Sequence, residues 1–221
     1  MTIGVRNPPK HVYSFCGQQL ETVESHPYLG VCFNNTLTWS DHITKVCKKA
    51  QRVLGLLRRN LWGCEEKIKS AAYTTLVRPL LEYAATAWDS SHQTNNSRLE
   101  RVQRQAARFC KREYGREKGT VTRILKELEW ETLEARRKTK KVIMRYKIKN
   151  GLVEISPENH LVHQTDKGTR GHKQKFIQIS YNKDRYGDTF FPSTIPLWNN
   201  LPRSAVEAAT VEGFKAARGL N

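Results

Sequence analysis

Leu99, Val102, Ala106 and Phe109 fall on one helical face at 3,4,3 spacing, while Arg101, Arg104, Arg108 and Arg112 fall almost opposite at 3,4,4. This helix is predicted over about residues 97–114, with one stripe packing and the other meeting solvent or phosphate. A similar pattern occupies residues 40–60: Ile43, Val46, Cys47, Ala50, Val53, Leu54 and Leu57 form the apolar face, and Ser40 or Asp41 stands where an N-cap belongs. The back of that helix carries Lys45, Lys48, Lys49, Arg52 and Arg59. Between the two, a helix starting near Cys64 runs through Ala71, Ala72, Leu76 and Leu80 toward Trp88, with a kink or break expected at Pro79. Thr120 is positioned to cap a short helix ending near Trp130, and residues 131–150 form a last long helix that Gly151 can terminate in a left-handed conformation.

The flanks read differently. Residues 11–33 are rich in Val, Tyr, Phe and Thr and punctuated by Gly17 and His26-Pro27, which predicts two or three short strands. The best of them is Tyr28-Leu29-Gly30-Val31-Cys32-Phe33, closed by Asn34-Asn35. Residues 151–174 have the Gly, His, Thr, Lys and Asp composition of a linker of low order. Beyond it, 175–181 and 186–191 form a predicted hairpin joined by 182–185, followed by a small helix from Val211 capped by Thr210. The chain is therefore expected to be α+β and mostly α. Its predicted parts are a β element over 1–38 containing a short hairpin, a helical bundle over 39–150, a linker over 151–174, and a small C-terminal hairpin plus helix over 175–221.

Charge changes the picture more than size does. The formal net charge of this 221-residue chain is +17, and residues 40–60, 98–118 and 131–150 contribute +5, +5 and +6 of it. Clustering of that kind on helices is the electrostatic footprint of a polyanion binder, most often nucleic acid. A mean hydropathy of −0.66 and the lack of an apolar run near the roughly 20 residues that cross a bilayer argue against a membrane partner. Met1 is followed by neither a basic nor an apolar leader segment, so the expected location is intracellular, nuclear or cytoplasmic, and not secreted. Cys16, Cys32, Cys47, Cys64 and Cys110 are odd in number and have no CxxC spacing, so they read as reduced thiols.

Several short stretches together resemble a known family. Tyr28-Leu29-Gly30-Val31, Leu37-Thr38-Trp39, Leu54-Gly55 and Leu57-Arg58-Arg59-Asn60-Leu61 are followed by Thr75-Leu76-Val77-Arg78-Pro79-Leu80-Leu81-Glu82-Tyr83-Ala84 and Trp88-Asp89. Leu99 to Phe109, Leu128-Glu129-Trp130, Gly151-Leu152-Val153, Phe190-Phe191-Pro192-Ser193-Thr194-Ile195 and Trp198-Asn199-Asn200-Leu201-Pro202 continue the series. In order and spacing they resemble the region after the palm, the thumb and downstream part, of non-LTR retrotransposon reverse transcriptases of the Jockey-like or CR1-like kind. The resemblance implies that residues 39–150 are a thumb-like bundle holding template-primer duplex. It also implies that Tyr28, Leu29 and Gly30 are primer-grip-like; an ordinary strand with Gly30 relieving a tight contact is the other reading.

The same resemblance limits the chemistry. In that family an adjacent Asp pair and a further Asp hold two metal ions. Here the aspartates are Asp41, Asp89, Asp166, Asp184 and Asp188, with no adjacent pair, so no catalytic residue and no metal ligand is assigned. The chain alone is expected not to be an enzyme and to need no cofactor, since Mg2+ would belong to the missing palm. The candidate nucleic-acid contacts are Arg101, Arg104, Arg108 and Arg112, then Lys45, Lys48, Lys49 and Arg52, then Arg136, Arg137, Lys140 and Lys141. The last cluster equally fits a nuclear-import signal. His160, His163 and His172 lie in a polar stretch without a nearby cysteine, a poor zinc set. Trp39, Trp62, Trp88, Trp130 and Trp198 could stack on bases, although such positions more often anchor cores. The expected partners are RNA, RNA/DNA hybrid or DNA, together with the missing fingers-palm portion. The alternative is a degenerate transposon-derived remnant that binds polyanions only incidentally.

Overall fold

A computed structural model of the chain describes residue 1 and residues 12–115, 117–156, 161–164, 172–181 and 184–219. In chain order the first elements are β1 (Ser14–Phe15), β2 (Gln18–Gln19), β3 (Ser25–Tyr28), β4 (Val31–Asn34), α1 (Ser40–Asn60) and α2 (Glu66–Ala72). A π-helical turn, Tyr73–Val77, leads into α3 (Arg78–Glu82), α4 (Ala85–Trp88), α5 (Gln93–Lys111), α6 (Thr120–Glu127) and α7 (Leu133–Lys149). Four shorter helices follow: α8 (Asp184–Gly187), α9 (Phe190–Asn199), α10 (Arg203–Val206) and α11 (Val211–Ala217). The fold is α+β and mostly α, with its strands in antiparallel hairpins near the N-terminus. Two compact units form, Met1–Tyr83 with His92–Ile124, and Ala84–Ser91 with Leu125–Asn221. The division cuts through the 39–150 helical stretch.

In the first unit, β3 and β4 pair around a two-residue turn, Leu29-Gly30, in which both residues have positive φ, 46° and 80°. That is the hairpin geometry whose twist suits the strands, and Leu29 is an unusual occupant of it. Tyr28 to Phe33 is therefore not one strand, as its apolar content predicts, but the tip of a hairpin. β4 buries Val31 and Cys32 while all four residues of β3 are exposed. The hairpin is tied to α1 by the Cys32 amide, which donates to His42 Nδ1 at 3.2 Å in a buried position.

α1 buries His42, Ile43, Cys47, Ala50, Leu54 and Leu57, close to the expected face. Its N-cap is Trp39, without a side-chain cap, so Ser40 and Asp41 sit one and two positions later than predicted; Asp41 still favours the helix dipole from the first turn. Pro79 has the predicted effect in a specific form. Proline offers no N–H to the turn before it, and the ladder slips there to a π turn in which the Arg78 amide reaches Tyr73 O. The chain then breaks at Ala84, which has φ 50°. α5 starts about four residues before the predicted position and ends at Lys111. Its buried face contains Leu99, Val102, Ala106 and Phe109 as expected, together with Gln103, which accepts from Tyr73 OH at 2.9 Å.

The second unit is organised around α7, which packs against α4, α9 and α11. Thr132 caps its start by accepting from the Ala135 amide at 3.1 Å. At its end Gly151 (φ 65°) and Leu152 donate back to Ile148 O and Lys147 O, the paired bonds of a left-handed stop. The core holds Val142, Tyr146, Leu161, Phe176, Ile195, Trp198, Leu201, Ala205, Val206 and Phe214. Thr210 caps α11 as predicted, accepting from the Gly213 amide at 3.0 Å.

One expectation about this unit is corrected. The C-terminal hairpin does not form. Tyr186 lies in α8 and Phe190-Phe191 open α9, while 175–181 contributes only an isolated bridge between Phe176 and His163. Aromatic neighbours favour strands locally, but Pro192 fits a first helical turn, and Ile195 and Trp198 are buried at helical spacing. The predicted loop residues 182–183 lie outside the described residues. Within the predicted linker 151–174, Leu161 and His172 are buried in this unit; residues 157–160 and 165–171 lie outside the described residues.

Candidate nucleic-acid interface

On α1, Lys45, Lys48, Lys49, Arg52 and Arg59 are exposed. Lys48, Gln51, Arg52, Gly55 and Arg59 line an open depression of about 500 Å3, shaped in part by the missing side chain at Gly55. α1 packs against α5. Arg98 Nη1 donates to Thr44 Oγ1 at 3.1 Å and Arg58 Nη2 donates to Gln105 O at 2.9 Å, so residues 44 and 58 of α1 face residues 98 and 105 of α5. Between 44 and 58 the same side of α1 carries Lys48, Gln51 and Gly55; between 98 and 105 the same side of α5 carries Arg101. Helical register therefore places Arg101 on the flank of α5 that carries Arg98 and Gln105. Arg104 and Arg108 continue the stripe from Arg101, Arg104 exposed and Arg108 half-buried with its Nε enclosed and without a hydrogen-bond partner. The two predicted stripes thus lie on one packed helix pair, the basic seam.

Other predicted contacts are placed elsewhere. Lys45 donates to Cys32 Sγ at 3.1 Å. Arg112 is not part of the α5 stripe: it is the C-cap, with φ 54°, and its guanidinium lies 5.9 Å from the centre of the Trp62 ring while donating to the Trp62 and Cys64 carbonyls. Helix termination is the reason, since the chain turns left-handed at the fourth arginine itself, one residue after α5 ends. Arg136 and Lys140 are half-buried on α7. Arg137 and Lys141 are buried, 1% and 4% exposed, and their charged groups meet opposite oxygens of the Asp89 carboxylate at 2.8 and 2.7 Å. Lys141 also donates to Ser193 Oγ at 3.0 Å. These two cations hold the second unit together and are not available to a phosphate. At the hairpin tip Tyr28 and Leu29 are exposed, Leu29 O accepts from Tyr83 OH at 3.0 Å, and a Cβ on Gly30 would come within 3.2 Å of Tyr83 Cε1.

The second unit also contains basic groups that the sequence pattern did not single out. Arg145 is buried with its guanidinium 4.4 Å from the Phe176 ring centre and 5.5 Å from that of Trp198, and burial pushes it down to about 10. Lys149 donates to Val206 O at 2.8 Å and is held below its ordinary value by burial and by Arg145. His172 Nδ1 accepts from the Gln174 amide at 3.2 Å, which leaves the proton on Nε2 to donate to Trp198 O at 3.0 Å. Burial keeps His172 below 6.5, and Lys175 and Lys149 act in the same direction. His163 lies against the Phe176 ring, and His160 is outside the described residues. Among the described residues no three His, Cys, Asp or Glu side chains gather as a metal site, and no helix is long and apolar enough to cross a membrane.

The chain matches no protein-family model, no curated protein and no solved structure.

Proposed function

We propose that the chain is a non-catalytic, basic helical module that grips the sugar-phosphate backbone of nucleic acid. More particularly, we read it as the thumb-side and downstream portion of a non-LTR retrotransposon RNA-directed DNA polymerase, engaging template-primer or element RNA. The α1/α5 helix pair carries this reading: exposed Lys48, Arg52 and Arg59 on α1, and Arg101, Arg104 and half-buried Arg108 on the α5 helix packed against it. Fixed cations on helices suit a phosphate backbone, whose contacts position a duplex without reading its sequence.

The test is binding to an RNA/DNA hybrid and to heparin across a salt series, with Arg101, Arg104 and Arg108 changed together to Glu. The expected outcome is a preference for hybrid, loss of binding in the variant, and a salt slope that falls by about 0.7–0.9 for each phosphate contact removed. Equal competition by heparin, with the variant behaving as its parent, would instead identify a transposon-derived remnant whose charge serves no site.

A further inference from the structure

We propose that Trp62 is a stacking platform for an unpaired nucleobase, so that the basic seam receives a strand with an exposed base rather than backbone alone. The inference rests on the nucleic-acid reading above and adds to it the class of ligand, single-stranded nucleic acid or a single-stranded end.

The five tryptophans separate by burial. Trp88 and Trp198 are fully enclosed, Trp130 is buried, and Trp39 is half-buried against Phe33 at 5.5 Å. Trp62 is 54% exposed. It lies just past the C-terminus of α1, in the turn that Leu61 opens by donating to Leu57 O. Arg112 fixes it from the end of α5: the guanidinium approaches the ring and donates to the Trp62 and Cys64 carbonyls on either side of Gly63. A large apolar ring held in place yet half in water gains little from its own fold and is preorganised for a planar partner.

The surroundings select that partner. Lys48, Arg52 and Arg59 lead along α1 toward Trp62, about 16 Å of helix at roughly 1.5 Å per residue from 48 to 59, and Arg108 precedes Arg112 on α5, where Lys111 is already paired with Glu66 at 2.9 Å. Phosphates running along the cations would deliver a base to the ring. Arg112 lies over one face of the ring and steadies it, so a base would stack on the other face. Paired bases in the middle of a duplex offer no free face, so the ligand must present an unpaired one.

The test compares a short oligothymidylate with a sugar-phosphate oligomer of the same length lacking bases, so that charge is matched. The native chain should bind the oligothymidylate more tightly by roughly fivefold to a hundredfold, and its tryptophan fluorescence should be quenched. Trp62→Ala should bring the two affinities together, whereas Trp62→Phe should retain the preference and lose the quenching. Equal affinities in the native chain, or a preference that survives Trp62→Ala, would overturn the stacking site and leave the backbone-gripping reading standing. Failure of both oligomers to bind at low salt would overturn both.

Discussion

Asp89→Asn replaces one carboxylate with an amide of the same shape beneath two buried cations, and its cost can be worked from the geometry. The carboxylate, 14% exposed, accepts from Arg137 Nε at 2.8 Å and from Lys141 Nζ at 2.7 Å, with those side chains 1% and 5% exposed. An asparagine keeps one acceptor oxygen for one cation and turns an N–H2 toward the other. Hydrogen bonds to charged groups contribute about 1.5–3 kcal/mol each, and removing one partner of a buried ion pair costs about 3–5 kcal/mol because the remaining charge is stranded. We therefore expect a loss of about 3–5 kcal/mol from the second unit. At the cautious conversion of about 4 °C per kcal/mol, its thermal midpoint should fall by at least about 12 °C, followed by near-ultraviolet circular dichroism. Changing Arg137 and Lys141 to Met together with Asp89→Asn should recover much of that loss, since no charge is then left unpaired. A loss below about 1 kcal/mol for Asp89→Asn, the range of a solvated surface pair, would refute the assignment of these cations to the core.

Acid should weaken the fold through its buried imidazoles. His42 and His172 are held below 6.5, first by burial and then by Lys45 for His42 and by Lys175 and Lys149 for His172, against which Glu207 and the Trp198 carbonyl act on His172 in the opposite sense. The unfolded chain then binds protons that the folded chain refuses. Stability should be fully present above about pH 6.5 and decline as pH falls below it, and His172→Gln should reduce that slope in urea titrations at pH 7 and pH 5; a slope unchanged by the substitution would contradict the assignment. Gly30→Ala should cost roughly 1–2 kcal/mol, because φ +80° is left-handed and the new Cβ would press on Tyr83 Cε1 at 3.2 Å. Equilibrium unfolding measures it, and a neutral result would mean that the hairpin tip and Tyr83 move apart at little cost.

What the sequence made legible depended on whether polar and apolar residues kept to separate faces. They largely do from Leu99 to Phe109 of α5, and the four apolar residues expected to pack there are buried, joined by Gln103 through its bond to Tyr73. They do not in α7, where Leu133, Arg137, Lys141, Arg145 and Ile148 share the buried side. Cations at core positions blur the helical period, and the groups that make their burial tolerable, Asp89 for two of them and the rings of Phe176 and Trp198 for the third, are far away in sequence. A run of Arg and Lys therefore read as an exposed patch when half of it is interior. The Tyr28–Phe33 strand failed for a local reason: a leucine in a left-handed turn has no compositional signal. Each stripe of the seam was visible alone, whereas their juxtaposition depends on the Arg98–Thr44 and Arg58–Gln105 contacts, which no periodicity encodes.

The sorting of cations into buried and exposed sets bears on how the net charge of +17 acts. In the second unit Arg137 and Lys141 are offset at close range by Asp89, and Arg145 is enclosed between aromatic rings, so their field is largely spent inside the fold. In the first unit Lys48, Arg52, Arg59, Arg101 and Arg104 face water, where counterions condense along a phosphate chain and are released when such residues displace them. Two segments with nearly equal formal charge, +5 over residues 98–118 and +6 over residues 131–150, thus differ in what that charge can do. On α5 it can serve an interface, and on α7 a large part of it is committed to holding a core that hydrophobic residues alone do not fill.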